Sequence, residues 1–172
     1  MYTLPRLLPR FTLLTFALAA CSPPPAVKPA ANVPDHDLVA AIRAAGEQSG
    51  SAVEVQPLRD PAIDGFLRQA QALEREGRIA DARAQIERAL KLAPDAPDLL
   101  QYQAELLITE QRYTEAEPLA RRSYEVGPKL GSLCARNWQT IVELRGLAQD
   151  PASVESAKVQ LAGCKVPAPV RM

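Results

Sequence analysis

One histidine, one tryptophan, two methionines and three cysteines are spread over 172 residues. That leaves little for a histidine-based catalytic triad, a His/Cys metal site or an aromatic cofactor box. Aromatic residues make up only 5% and glycine occurs eight times. An all-β sandwich or barrel draws on more of both, so the balance tilts to helix. Neither sign of charge prevails, with 20 Lys plus Arg against 20 Asp plus Glu. This argues against a nucleic-acid binder that relies on bulk positive charge. No apolar run reaches the roughly 20 residues that a bilayer-spanning helix needs. What the chain does have is a globular composition, 47% hydrophobic and 23% charged, and 16 prolines whose placement carries information.

Residues 1–20 hold Arg6 and Arg10, no acid, and an apolar stretch from Phe11 to Ala20. A basic start, a short apolar core and small residues before a cut site read as a secretory signal. Its end, Leu18-Ala19-Ala20-Cys21, resembles the lipobox of bacterial lipoproteins. The resemblance implies lipidation of Cys21 and cleavage before it. Acyl chains anchor by burying CH₂ groups, and stable attachment takes more than one chain, which a triacylated cysteine supplies. Ser22, rather than Asp, follows the cysteine. By the enterobacterial sorting pattern this implies the outer membrane, periplasmic face. Residues 21–34 form a tether, since 22–34 carry five prolines in thirteen positions and cannot build a core.

Further along, the chain repeats itself every 34 residues. Ala70 maps to Ala104, Leu73 to Leu107, Gly77 to Gln111, Ile79 to Tyr113, Ala82 to Ala116, Ala89 to Ser123 and Pro94 to Pro128. Small residues at the crossings of two helices, with proline at the end, resemble the tetratricopeptide repeat. The windows are 63–96, 97–130 and a looser 131–164, where Trp138 and Asp150 replace small residues. The resemblance implies an all-α fold of three antiparallel helix pairs stacked as a short solenoid, the third repeat degenerate.

Helical periodicity agrees independently. Ile63, Phe66, Leu67, Ala70 and Leu73 share one face behind Asp60-Pro61, a cap followed by proline at the first helical position. Ile79, Ala82, Ile86, Ala89, Leu90 and Ala93 follow the break at Gly77 and stop at Pro94. Asp95 is placed to cap the next helix, with Leu99, Leu100, Ala104 and Leu107 inward. Thr114 and Glu117 have capping-box spacing, which puts Pro118 in a first turn. The third pair runs from about Ser132 to Gly146 and from Pro151 to about Gly163. Trp138 falls inward by phase, as core rather than as a groove anchor. Residues 35–58 read as a short helix, Leu38 to Ala45, capped by Asp35, followed by extended chain lying on the first repeat. The helical domain covers 59–166 and a tail 167–172.

Sites for chemistry are few. His36 lies between Asp35 and Asp37 with no second histidine, and reads as a helix start, where acids favour the dipole. No nucleophile elbow, glycine-rich phosphate loop or zinc spacing occurs. The expectation is therefore no enzyme, no cofactor and no metal. Cys134 and Cys164 are expected to pair as a disulfide in an exported protein, with two buried thiols as the alternative. One begins the fifth helix of the repeats and the other ends the sixth, and in an antiparallel hairpin those ends meet within bonding distance.

Tetratricopeptide proteins bind partners on the concave face, which the first helix of each pair lines. The resemblance places Asp64, Leu67, Gln71, Glu74, Asp98, Gln101, Glu105, Ile108 and Gln139 there, with four acids and no Lys or Arg. This predicts an acidic groove for basic or polar partners. The carboxylate-clamp subfamily needs Lys, Asn and Arg where this chain has Leu67, Gln71, Tyr102 and Ser132, with Arg136 alone matching, so that ligand is excluded. Similar lipoproteins of Gram-negative bacteria serve as scaffolds in envelope assembly. The expected function is thus a lipid-anchored, non-enzymatic adaptor for a protein or peptide partner. The alternative is an accessory or ligand-binding lipoprotein of an envelope enzyme.

Overall fold

The computed structural model describes residues 34–49 and 59–166. The expected signal, Cys21, most of the tether, the extended stretch after the first helix and the tail lie outside them. Among the described residues seven helices follow in order: α1 (Leu38–Ser49), α2 (Pro61–Arg75), α3 (Ile79–Leu92), α4 (Pro97–Thr109), α5 (Tyr113–Val126), α6 (Ser132–Leu147) and α7 (Pro151–Gly163). Helices α2 and α3, α4 and α5, and α6 and α7 pack as pairs, and each pair stacks on the next. This is the solenoid that the repeat pattern predicts.

The crossings need small side chains. Ala70 and Ala82, and Ala104 and Ala116, are fully buried in the cores that the paired helices enclose. Larger residues beside them fill the space between pairs: Ile63, Leu73, Ile86, Leu99 and Leu106 in one cluster, Leu107, Ile108 and Leu144 in another. The three hairpin turns share one device. Gly77, Gln111 and Gln149 adopt left-handed φ of 74°, 59° and 54°. In each turn that residue's N–H bonds three residues back, and the next N–H bonds five residues back, as in Arg78 to Leu73, Arg112 to Leu107 and Asp150 to Arg145. These bonds satisfy carbonyls that a helix end otherwise leaves open. The Gly77-to-Gln111 correspondence of the repeat is thus a shared backbone conformation.

The last pair is stapled. Cys134 and Cys164 form a disulfide, their Cα atoms 5.6 Å apart. Tyr124, Trp138 and Leu161 pack over it, with Tyr124 and Trp138 meeting edge to face at 4.9 Å. Trp138 is thus partly buried and packs against the core beside the disulfide, away from the residues that line the cleft.

Three expected caps are corrected. Asp95 does not cap α4: Ala96 holds that place, Pro97 opens the helix, and the Asp95 carboxylate accepts from Arg122 at 2.8 Å. Thr114 and Glu117 form no capping box, because α5 already begins at Tyr113 and Glu117 accepts instead from Arg121 and Arg145. Pro118 consequently lies past the first turn, where its ring leaves the carbonyl of exposed Thr114 to solvent. For α1 it is Asp37, not Asp35, that accepts the Ala40 N–H, and the helix continues to Ser49.

Candidate functional site

Helices α2, α4 and α6, the first of each pair, form one face, and α1 lies on it. Helix α1 packs mainly against α6 and also against α4. Its Leu38, Ile42 and Gly46 recur every four residues, which puts them in one row on the helix surface. Leu38 and Ile42 are buried with Ala104, Leu107, Ile108 and Leu144. Gly46 marks the closest approach: a Cβ there would lie 2.7 Å from Cγ of Arg136 and 3.0 Å from Oγ of Ser132. A side chain there would have to displace Arg136 or α1 itself.

Arg43 bridges from α1 to two repeats. Its Nη2 donates to Glu74 at 2.7 Å and its Nε to Glu105 at 3.0 Å. Burial works against the charge of Arg43, but Glu105 and Glu74 outweigh it and hold its pKa above the ordinary value. Glu105 has no exposed side-chain surface. Its other oxygen accepts from Arg136 Nε at 2.8 Å, Arg136 Nη2 at 2.6 Å and Gln101 Nε2 at 3.0 Å. Gln101 in turn donates to Thr140 at 2.9 Å, tying α4 to α6. Tyr102 donates its hydroxyl to Glu74 at 2.7 Å, and burial together with that carboxylate pushes its phenol pKa well up. At the other end of α1, His36 Nε2 meets Glu143 at 3.0 Å and Nδ1 meets Asp35 at 2.7 Å. The hydrogen bond to Asp35 and the charge of Glu143 raise its pKa above 6.5.

Beyond the C-terminal half of α1 the face stays open as a cleft of about 820 Å³. Leu67, Gln71, Glu74 and Asp98 line it, as do Arg43, Glu47, Arg59, Arg75, Tyr102 and Arg136. Arg59 is held by Asp64 at 3.2 Å and Asp98 at 2.7 Å.

The structure divides the nine expected groove residues. Leu67, Gln71, Glu74 and Asp98 border the open cleft, with Asp64 behind Arg59. Glu105 and Ile108 lie beneath α1, and Gln101 is fully buried between α4 and α6. Gln139 is half-buried and donates to Glu143, the partner of His36. The expected acidic character is overturned, because four arginines reach the cleft. Arg43 and Arg59 come from outside the repeats, Arg75 follows the expected Glu74, and Arg136 is the one position that matches the carboxylate-clamp pattern. The row of Leu38, Ile42 and Gly46 was the signal in the sequence that α1 has a packed face. Among the described residues no helix is long and apolar enough to cross a membrane, and no group of acidic, His or Cys side chains converges on a metal position.

The tetratricopeptide repeat family model matches residues 67–130. The chain is also similar to a solved structure, the globular C-terminal domain of P. aeruginosa LpoP, with a TM-score of 0.52 and 27% identity. That likeness covers 59% of this chain and 99% of that one. No curated protein matches the sequence. With α2 to α5 carrying the matched repeats and α6 and α7 continuing the same stacking, the described residues have the fold of a short tetratricopeptide-like solenoid.

Proposed function

We propose that the protein is a membrane-tethered adaptor that binds a protein partner in the bacterial envelope and performs no catalysis itself. Lipid on Cys21 holds it to the periplasmic face of the outer membrane, and the Pro-rich stretch sets the helical domain off the bilayer. The likeness to the LpoP domain carries this reading, since it spans nearly that whole domain. That domain is described as globular and C-terminal, and the helical domain here likewise follows an N-terminal stretch of different composition. The open cleft supports it further. Charged groups of both signs surround Leu67, Leu133 and the ring of Tyr102 there, a mixture suited to a polypeptide. An accessory subunit of an envelope enzyme is the same object with an enzyme as its partner.

The anchor is tested by Cys21→Ser. The variant is expected to remain an unprocessed precursor that incorporates no labelled fatty acid. Normal processing with membrane retention would remove the lipid from this account.

A further inference from the structure

We propose that α1 is a built-in stand-in for a partner helix. The face it covers is a docking surface for an amphipathic helix bearing an arginine placed as Arg43 is. This deepens the adaptor reading and rests on it.

Three observations converge. First, α1 engages all three inner helices in the manner of a helix laid in a groove, with anchors four residues apart: Leu38 and Ile42 buried, then Gly46 at the tightest approach. Second, the face holds a charge that the repeats alone leave half-served. Both Arg136 bonds and the Gln101 bond go to Oε1 of Glu105, while among the described residues Oε2 accepts from Arg43 alone. With α1 lifted, a buried carboxylate oxygen faces outward without a donor, and Glu74 loses the same guanidinium. A helix offering an arginine at that level restores both, and a lysine with its single ammonium does not match the fork. Third, α1 is the shortest of the described helices, at 12 residues, and belongs to none of the three hairpins. Helices of its length are marginal without packing.

The test uses the full chain and a labelled synthetic peptide with the sequence of residues 34–49. Hydrogen exchange on the wild-type protein is expected to show α1 amides exchanging at least tenfold faster than those of α4, through an opening that leaves α2 to α7 protected. Ile42→Asp is expected to release α1 and to bind the peptide at least tenfold more tightly than the wild type does, while the Arg43→Glu peptide loses at least tenfold. Four results overturn the proposal: α1 and α4 amides exchanging together, neither protein binding the peptide, equal binding of the Arg43→Glu peptide, or a dimer in which a second copy's α1 fills the face. If Ile42→Asp unfolds the domain, α1 is a core element and the proposal also falls. None of these results needs the envelope partner, so a failure here leaves the tethered adaptor intact and moves its binding surface elsewhere.

Discussion

Removing Arg136 should destabilise the domain more than removing Glu105, although both belong to one ion pair. Glu105 is wholly enclosed, whereas the side chains of Arg136 and Arg43 keep 24% and 39% of their surface exposed. In Arg136→Met the carboxylate stays buried and loses two charge-assisted bonds, keeping Arg43 and Gln101. Breaking a buried pair from one side typically costs ~3–5 kcal/mol, and the surviving partners place this case near ~3 kcal/mol. In Glu105→Met the two guanidiniums are left, and both can turn part of their surface to water. Trading the pair's attraction for rehydration leaves a loss of about 1–2 kcal/mol. The double substitution then removes the unpaired charge, so it should be less destabilised than the sum of the singles by at least ~1 kcal/mol. Urea unfolding followed by far-UV circular dichroism gives all three values, with the disulfide kept intact throughout. Equal costs for the two single substitutions, or additive costs in the double, would refute the view that Glu105 is the enclosed member of the network.

Gln111→Gly relieves a left-handed residue in the α4–α5 turn and should stabilise by about 0.5–1 kcal/mol; an unchanged or lower Tm contradicts the turn geometry. Replacing Cys134 and Cys164 together by serine opens a loop of sequence separation 30 and should cost roughly 3–4 kcal/mol in the chain-entropy model. If thiol titration of the unfolded protein already finds both cysteines free before reduction, the staple does not exist. His36 should titrate above 6.5 by NMR, and Asp35→Asn should bring it back down. Because its folded value is raised, its contribution to holding α1 is complete below the ordinary value and fades as pH rises through the folded one. A His36 that titrates at or below 6.5 rules out the Asp35 and Glu143 contacts.

The solenoid was legible because local and periodic signals coincide. Pro61, Pro97 and Pro151 each open a helix, and Gly77 closes one. The alanines at the crossings recur at a fixed spacing. The two missed caps in the repeats have one cause. Asp95 and the Thr114–Glu117 pair fit capping patterns by spacing, but their side chains serve ion pairs or solvent, and backbone turn geometry sets the helix starts. The disulfide was legible because hairpin geometry and two well-placed cysteines give the same answer. The functional face was half legible. Repeat position brings the right inner-helix residues together, yet its charge depends on Arg43 and Arg59, which arrive from outside the repeat, and no period reports a long-range contact. Helix α1 was read too short because Gly46 follows Ala45 and glycine reads as a helix end, whereas here it lies inside the helix at the close approach to α6.

The adaptor function is tested most directly by placing a photoreactive amino acid at Gln71, which is exposed beside the cleft, and at Arg88, exposed on α3 away from it. Irradiation in intact cells, with the lipid anchor in place, should give one reproducible adduct to an envelope protein from Gln71 and none from Arg88. An adduct from Arg88 with none from Gln71, or no adduct from either position, would contradict a partner-binding role for this face.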